Sequence, residues 1–213
     1  GSSGTSTAAS AVAASTTDVN PDLWTAQRVL ADLVRGTDRS GDLQVVWWAV
    51  SVLSTPVGPQ TVIASSVGGG GYVPASVYLP VTARLAVFDS SLPISWAEDW
   101  MGWQSPVAIL AAHYERVAET LAGVRVSAIA TSEVWPRRPD CGGDFVAIQQ
   151  KDILQMPGEA PIMDGAHQHR LTAIDPGIAR RVAALDRGGD VTAWVGAQLT
   201  AAVIRAAMES DET

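Results

Sequence analysis

The segment Leu43–Leu53 reads LQVVWWAVSVL and is a run of apolar and β-prone residues. Apolar side chains occupy both of its alternating faces, which is typical of a strand at the centre of a sheet that is covered on both sides. The breaker TPVGP follows at 55–59, and Gln60–Val67, QTVIASSV, supplies a second β-prone run. Together these segments predict a β-hairpin.

Two helices and three further strands are predicted around this hairpin. Asn20-Pro21 is a helix start, because Asn caps and Pro fits the first helical position, and Gly36 stands where a C-terminal cap is expected. A second helix begins at Ser105-Pro106 and runs to Gly123. The strands between and after them are predicted at 84–88, 124–130 and 145–148.

The C-terminal part is predicted to be an αα-hairpin that ends near Met208, because helix-start signals at Asp175-Pro176 and Asp190 flank the glycine pair Gly188-Gly189. The sequence therefore indicates an α+β fold. We expect an antiparallel sheet of about four to six strands packed with helices and followed by this hairpin.

Length and composition indicate one globular domain, over residues 21–208 of the 213. Residues 1–20 are rich in Ser, Thr and Ala and are predicted to be a flexible linker or tag remnant, and 209–213 an acidic tail. The formal net charge of −8 disfavours nucleic acid as the main partner. No stretch approaches the roughly 20 apolar residues of a membrane span, so we expect a soluble protein.

Several patterns that could carry chemistry have simpler interpretations. The run Gly68–Gly71 lacks a nearby lysine and leads into extended residues, which favours a turn over a phosphate-binding loop. Cys141 is the only cysteine and excludes an internal disulfide. Glu98 and Asp99 could be the paired carboxylates of a carbohydrate-cleaving site, but adjacent side chains on a helix point in different directions. A capping box formed by Ser95 and Glu98 explains the glutamate more simply.

His167 and His169 form an HxH pair that on a strand would place both rings on one face. Asp164 is a possible third metal ligand, with Cys141 or His113 as a distant fourth, but no HExxH or paired CxxC supports a closed site. A solvated loop is the favoured interpretation. No catalytic residue, metal or cofactor is therefore predicted.

Trp96, Trp100 and Trp103 are spaced by four and three residues, which would place their indoles on one face of a short helix. This face is either core or an exposed anchor for a protein partner, since interfaces are enriched in tryptophan. A second candidate contact is Trp135 with Arg137 and Arg138, in a stiff, proline-flanked turn that could equally be a solvated loop.

One succession of motifs resembles a known family. The strand VWWAV at 46–50, TVIASS at 61–66, GGYVPA at 70–75 and VYLP at 77–80 are similar to the C-terminal region of EspK and related mycobacterial proteins associated with type VII secretion. The resemblance implies a cytoplasmic, non-enzymatic adaptor or chaperone that binds a secreted helical substrate, EspB or a protein like it, and the secretion machinery.

Two alternatives stay open at this point. One is a hydrolase that uses the loop of His167 and His169. The other is a structural dimerisation domain that self-associates through the C-terminal hairpin, where Val191, Val195 and Leu199 follow one side of the last helix.

Overall fold

The computed structural model describes residues 20–174, except 94, 95, 97, 98 and 101. Its helices are α1 (Pro21–Ser40), α2 (Pro106–Thr120), α3 (Gln150–Gln155) and α4 (Arg170–Ile174), with a 3-10 turn at Ala86–Phe88. Its strands are β1 (Trp48–Thr55), β2 (Gly58–Ser65), β3 (Tyr78–Pro80), β4 (Ala83–Leu85), β5 (Arg125–Thr131), β6 (Asp144–Ala147) and β7 (His167–His169).

Five strands form one sheet in the order β4-β2-β1-β5-β6, and β3 pairs with β7 in a separate ribbon. The predicted hairpin is confirmed, since β1 and β2 pair antiparallel from Trp48↔Ser65 to Thr55↔Gly58. The α+β class is confirmed as well. The fully antiparallel sheet is wrong, because β4 runs parallel to β2 and β6 runs parallel to β5. Each parallel pair is joined by a long crossover rather than a tight turn.

The sheet lies between two helical layers. Alternation along β1 sends Trp48, Val50 and Val52 into a core under α1, and Ala49 and Leu53 into a second core under α2. The helix α3 packs beside α1 and adds Ile153 to the first core. Both faces of β1 are therefore covered, which explains its nearly unbroken apolar sequence.

Helix α1 extends one turn beyond its predicted end. Gly41, at φ 82°, is the C-terminal cap, while Gly36 lies within the helix and is buried. A Cβ atom at Gly36 would lie 3.1 Å from the Cα of Val77, so this glycine permits close packing and does not end the helix. The first strand also begins later than predicted, because Val45 and Val46 donate backbone hydrogen bonds to the carbonyl of Asp42 in a turn.

The glycine run at 68–71 is a turn, as predicted. A Cβ at Gly70 would lie 2.7 Å from Ile109, and one at Gly71 would lie 2.8 Å from Phe88. These glycines therefore let the turn pack against α2 and the 3-10 turn. The predicted linker (except Asn20, which caps α1), capping box, C-terminal hairpin and acidic tail lie outside the described residues. No helix in the described part of the chain is both long and apolar enough to cross a membrane.

Candidate protein-binding surface

The three spaced tryptophans do not share one exposed face. Trp96 is only 6% exposed, and its Nε1 donates a 3.3 Å hydrogen bond to the carbonyl of Ala86. Trp100 packs against Trp96, with ring centroids 5.4 Å apart. Trp103 is 51% exposed and makes an edge contact with Trp47 instead, at 5.2 Å. The structure thus places Trp96 in the core and Trp103 on the surface.

Two backbone hydrogen bonds fix the position of Trp103. The carbonyl of Gly102 accepts one from Gly69, and Gln104 donates one to the carbonyl of Ser66. Gly102 has φ 85°, a conformation that a residue with a side chain rarely adopts. This local reversal directs the chain from the core position of Trp100 to the end of β2, where Trp103 meets Trp47.

Trp135 lies at the same end of the sheet as Trp103. The hydroxyl of Ser105 caps α2 and also donates a 2.9 Å hydrogen bond to Oε2 of Glu133. Trp103 precedes this hydrogen-bonded pair by two residues, and Trp135 follows it by two. Trp135 is 94% exposed and has φ 55°, which is uncommon for a residue with a bulky side chain. We call Trp47, Trp103 and Trp135 the tryptophan edge.

A shallow groove continues from this edge along α2. Its helical wall includes Ala108, Ala111 and Ala112, and its other wall is the loop that carries Arg137 and Arg138. Arg138 donates to the carbonyl of Gly143 at 3.0 Å, which ties the loop to the start of β6. In the sequence, the spaced tryptophans and the Trp135 turn are two separate candidate sites. The structure brings the exposed members of both to one end of the sheet.

A buried hydrogen-bonded pair beneath α2, Asp89 with His113, has no signal in the sequence. Nε2 of His113 lies 2.8 Å from Oδ2 of Asp89, and the two side chains are 1% and 3% exposed. Burial raises the pKa of Asp89, but hydrogen bonds from His113 and Ser91 lower it by more, so that its pKa lies well below the ordinary range. The pair joins the 3-10 turn to α2. It also separates His113 from the other proposed metal ligands.

The two remaining histidines lie on β7, which pairs with β3. Nδ1 of His167 lies 3.0 Å from Oδ1 of Asp164, while Nδ1 of His169 accepts a hydrogen bond from the backbone of Leu171. Asp164 also accepts from the backbone of Ala166 and His167, as expected for a turn. Across residues 20–174, no described set of three or more His, Cys, Asp or Glu side chains could hold a metal ion.

Cys141 lies in a different region, in a pocket formed with Tyr114 and Ser127. Burial raises the pKa of its thiol, which disfavours the thiolate that a nucleophile or a metal ligand requires.

One known protein family matches this chain over most of its length. The model of the EspK C-terminal domain matches residues 37–202. The chain belongs to this family. Membership associates this EspK C-terminal domain with type VII secretion, and the matched range includes the whole tryptophan edge. No curated protein and no solved structure matches the chain.

Proposed function

We propose that this domain is a non-enzymatic, cytoplasmic adaptor or chaperone that binds a secreted helical protein, EspB or one like it, before export. The observation that carries the proposal is that Trp103, which is half exposed, and Trp135, which is almost fully exposed, flank the Ser105–Glu133 hydrogen bond at one end of the sheet. Exposed tryptophans have a large apolar area and few rotatable bonds, and they dominate the binding energy of many protein interfaces.

The groove beside the edge suits a helical partner. Ala108, Ala111 and Ala112 are small, so a partner helix can approach the surface of α2 closely. Arg137 and Arg138 are exposed on the facing wall, where carboxylates of the partner can pair with the guanidinium groups. The indoles would then cover apolar side chains of the substrate that must stay out of water until export.

The test is a binding titration of the full chain with a purified EspB-like protein by isothermal calorimetry. The double variant Trp103→Ser/Trp135→Ser should weaken binding by about thirtyfold or more, since truncated interface anchors of this kind cost about 2 kcal/mol or more. The control is Val57→Ser, which removes a 97% exposed apolar side chain from the β1–β2 turn, outside this groove, and should leave this affinity unchanged. Thermal unfolding of all variants should remain close to that of the native chain.

Two results would contradict the proposal. Equal affinities for the native chain and the double variant would show that the tryptophan edge is not the contact. Stoichiometric zinc or manganese in the purified protein that disappears in His167→Ala/His169→Ala would favour the hydrolase instead.

A further inference from the structure

A second groove lies on the opposite helical layer, and the proposed function does not use it. Its lining is apolar for the most part and includes Trp24, Ala31, Ile148, Ile153, Met156 and Pro157. We call it the α1 groove. Two of its wall residues are unusually open to solvent, since Trp24 is 56% exposed and Met156 is 46% exposed. Large apolar side chains that line a groove and remain exposed are typical of protein contact sites.

The outer wall of the α1 groove is held in place by one arginine. Arg35 on α1 donates to the carbonyls of Met156 and Pro157, at 3.3 and 3.1 Å, and its guanidinium also lies 3.9 Å from Asp32. Gly158 packs so closely that a Cβ there would lie 2.8 Å from Cζ of Arg35. The segment after α3 is thereby fixed beside α1. The groove is therefore pre-formed, which lowers the entropy lost when a ligand binds.

The charge of the α1 groove differs in sign from that of the whole chain. Among the described residues, its charged lining is Arg28 and Arg35 without a carboxylate, although the chain carries a net charge of −8. Arg35 is already engaged with the outer wall. Arg28 is exposed, and its Cζ lies 5.0 Å from the centroid of the Trp24 ring. Asp32, one turn further along α1, attracts Arg28 at longer range, but no described carboxylate lies within 4 Å of the Arg28 guanidinium.

We propose that the α1 groove binds a short segment of a partner protein in which an apolar side chain is flanked by carboxylates. The apolar side chain enters between Trp24 and Met156, and a carboxylate pairs with Arg28 at the rim. Stacking on Trp24 orients the guanidinium, so the charge and the apolar pocket are presented together. This contact goes beyond the proposed function. It lies across the sheet from the tryptophan edge and can be tested separately.

The test begins with random 12-residue peptides displayed on phage and selected against the full chain. Enriched sequences should combine Asp or Glu with Leu, Ile, Phe or Met. A synthetic peptide of the enriched sequence should then shift the Trp24 indole signal in an NMR titration. Trp24→Ser and Arg28→Glu should each weaken its binding at least about tenfold, whereas Arg28→Lys should retain most of it. Trp103→Ser/Trp135→Ser is the matched control and should have no effect.

Several outcomes would overturn the proposal. They are the absence of any enriched sequence, enrichment of sequences without acidic residues, and peptide binding that survives Trp24→Ser. A second copy of the chain is the competing occupant. A dimer of the native chain in sedimentation velocity that becomes a monomer in Trp24→Ser would assign the groove to that copy instead. Because Trp24 and Arg28 are exposed on α1, these variants are expected to fold.

Discussion

The two faces of the sheet bury polar groups in different ways. On the α1 face, Nε1 of Trp48 donates to the hydroxyl of Thr37 at 2.8 Å, and that hydroxyl donates to the carbonyl of Leu33. On the α2 face, three buried polar atoms have no partner within the described protein, namely the Ser51 hydroxyl, Nε1 of Trp100 and Nδ1 of His113. Each such atom costs about 1–3 kcal/mol relative to a satisfied one.

This difference indicates where the fold has been optimised for stability and where it has not. The α1 face is apolar and fully hydrogen-bonded around its largest buried side chain. The α2 face contains the buried Asp89–His113 pair and unsatisfied atoms, and it lies under the tryptophan edge and its groove. Departures from the rules of stable packing concentrate at functional sites in natural proteins, which is consistent with a binding role for this side of the domain.

The largest effect is expected at the hydrogen-bonded Asp89–His113 pair of the α2 face. Asp89→Ala leaves Nε2 of His113 buried without its carboxylate acceptor, and the loss of a buried hydrogen bond to a charged group costs about 3 kcal/mol. Urea unfolding measures the loss. Asp140→Ala is the control, because Asp140 is exposed and should change the stability by no more than about 0.5 kcal/mol.

A double variant separates the pair from general damage to the core. If Asp89 and His113 stabilise each other, His113→Ala should cost less in the Asp89→Ala background than in the native chain. Independent, additive losses would contradict a coupled pair.

On the α1 face, Thr37→Val should cost about 1–3 kcal/mol, because Nε1 of Trp48 then becomes a buried donor without an acceptor. The side chains have nearly the same shape, so the loss measures the hydrogen bond. The control is Thr25→Val on the same helix, whose hydroxyl donates to the carbonyl of Pro21 near the surface. If Thr37→Val lowers the free energy of unfolding no more than Thr25→Val does, the buried Trp48–Thr37 hydrogen bond does not distinguish the α1 face from the α2 face.

The sequence predicted the elements of both faces better than their pairing. The breaker at 55–59 located the β1–β2 hairpin, and Asn20-Pro21 and Ser105-Pro106 located the starts of α1 and α2. Those signals are local. The parallel pairing of β4 and β6 depends on where long crossovers return the chain, which local patterns do not determine.

The candidate site was only partly predictable for a related reason. The spacing of Trp96, Trp100 and Trp103 assumes a continuous helix, but Gly102 at φ 85° turns Trp103 away from the other two and toward Trp47. A glycine permits such a turn without requiring it. Trp135 is placed at this end of the sheet by the hydrogen bond between Ser105 and Glu133, which are far apart in the sequence. Asp89 and His113 are 24 residues apart. Neither contact has a local sequence motif that predicts it.

Acid should remove the stability that the Asp89 carboxylate contributes to the α2 face. Because the pKa of Asp89 is lower in the folded chain than in the unfolded chain, its stabilising contribution is present above the unfolded value of about 3.9 and is lost as the pH falls toward the folded pKa. One proton changes the stability by at most about 1.4 kcal/mol per pH unit. Arg84, at 3.9 Å, is the charged side chain that faces this carboxylate, and His113 is hydrogen-bonded to it.

Unfolding of the native chain and Asp89→Asn between pH 6 and pH 2.5 measures this contribution. The stability difference between the two proteins should be constant above about pH 5 and should narrow below about pH 4. A difference that stays constant down to pH 2.5 would contradict the lowered pKa.

The smallest expected effect is a gain in stability at Ser51. Its side chain lies between those of Ala49 and Leu53 on the α2 side of β1, is buried, and has a hydroxyl without a partner among the residues that the structure describes. Ser51→Ala removes that hydroxyl with little change in volume, so we expect a stabilisation of up to about 1 kcal/mol, visible as a higher melting temperature. Ser65→Ala, on β2, is the matched control and should be destabilising, because its hydroxyl donates to the carbonyl of Val67. A loss of stability in Ser51→Ala would mean that the Ser51 hydroxyl has a hydrogen-bond partner in solution. The α2 face would then bury two unsatisfied polar atoms rather than three, and would differ less from the α1 face.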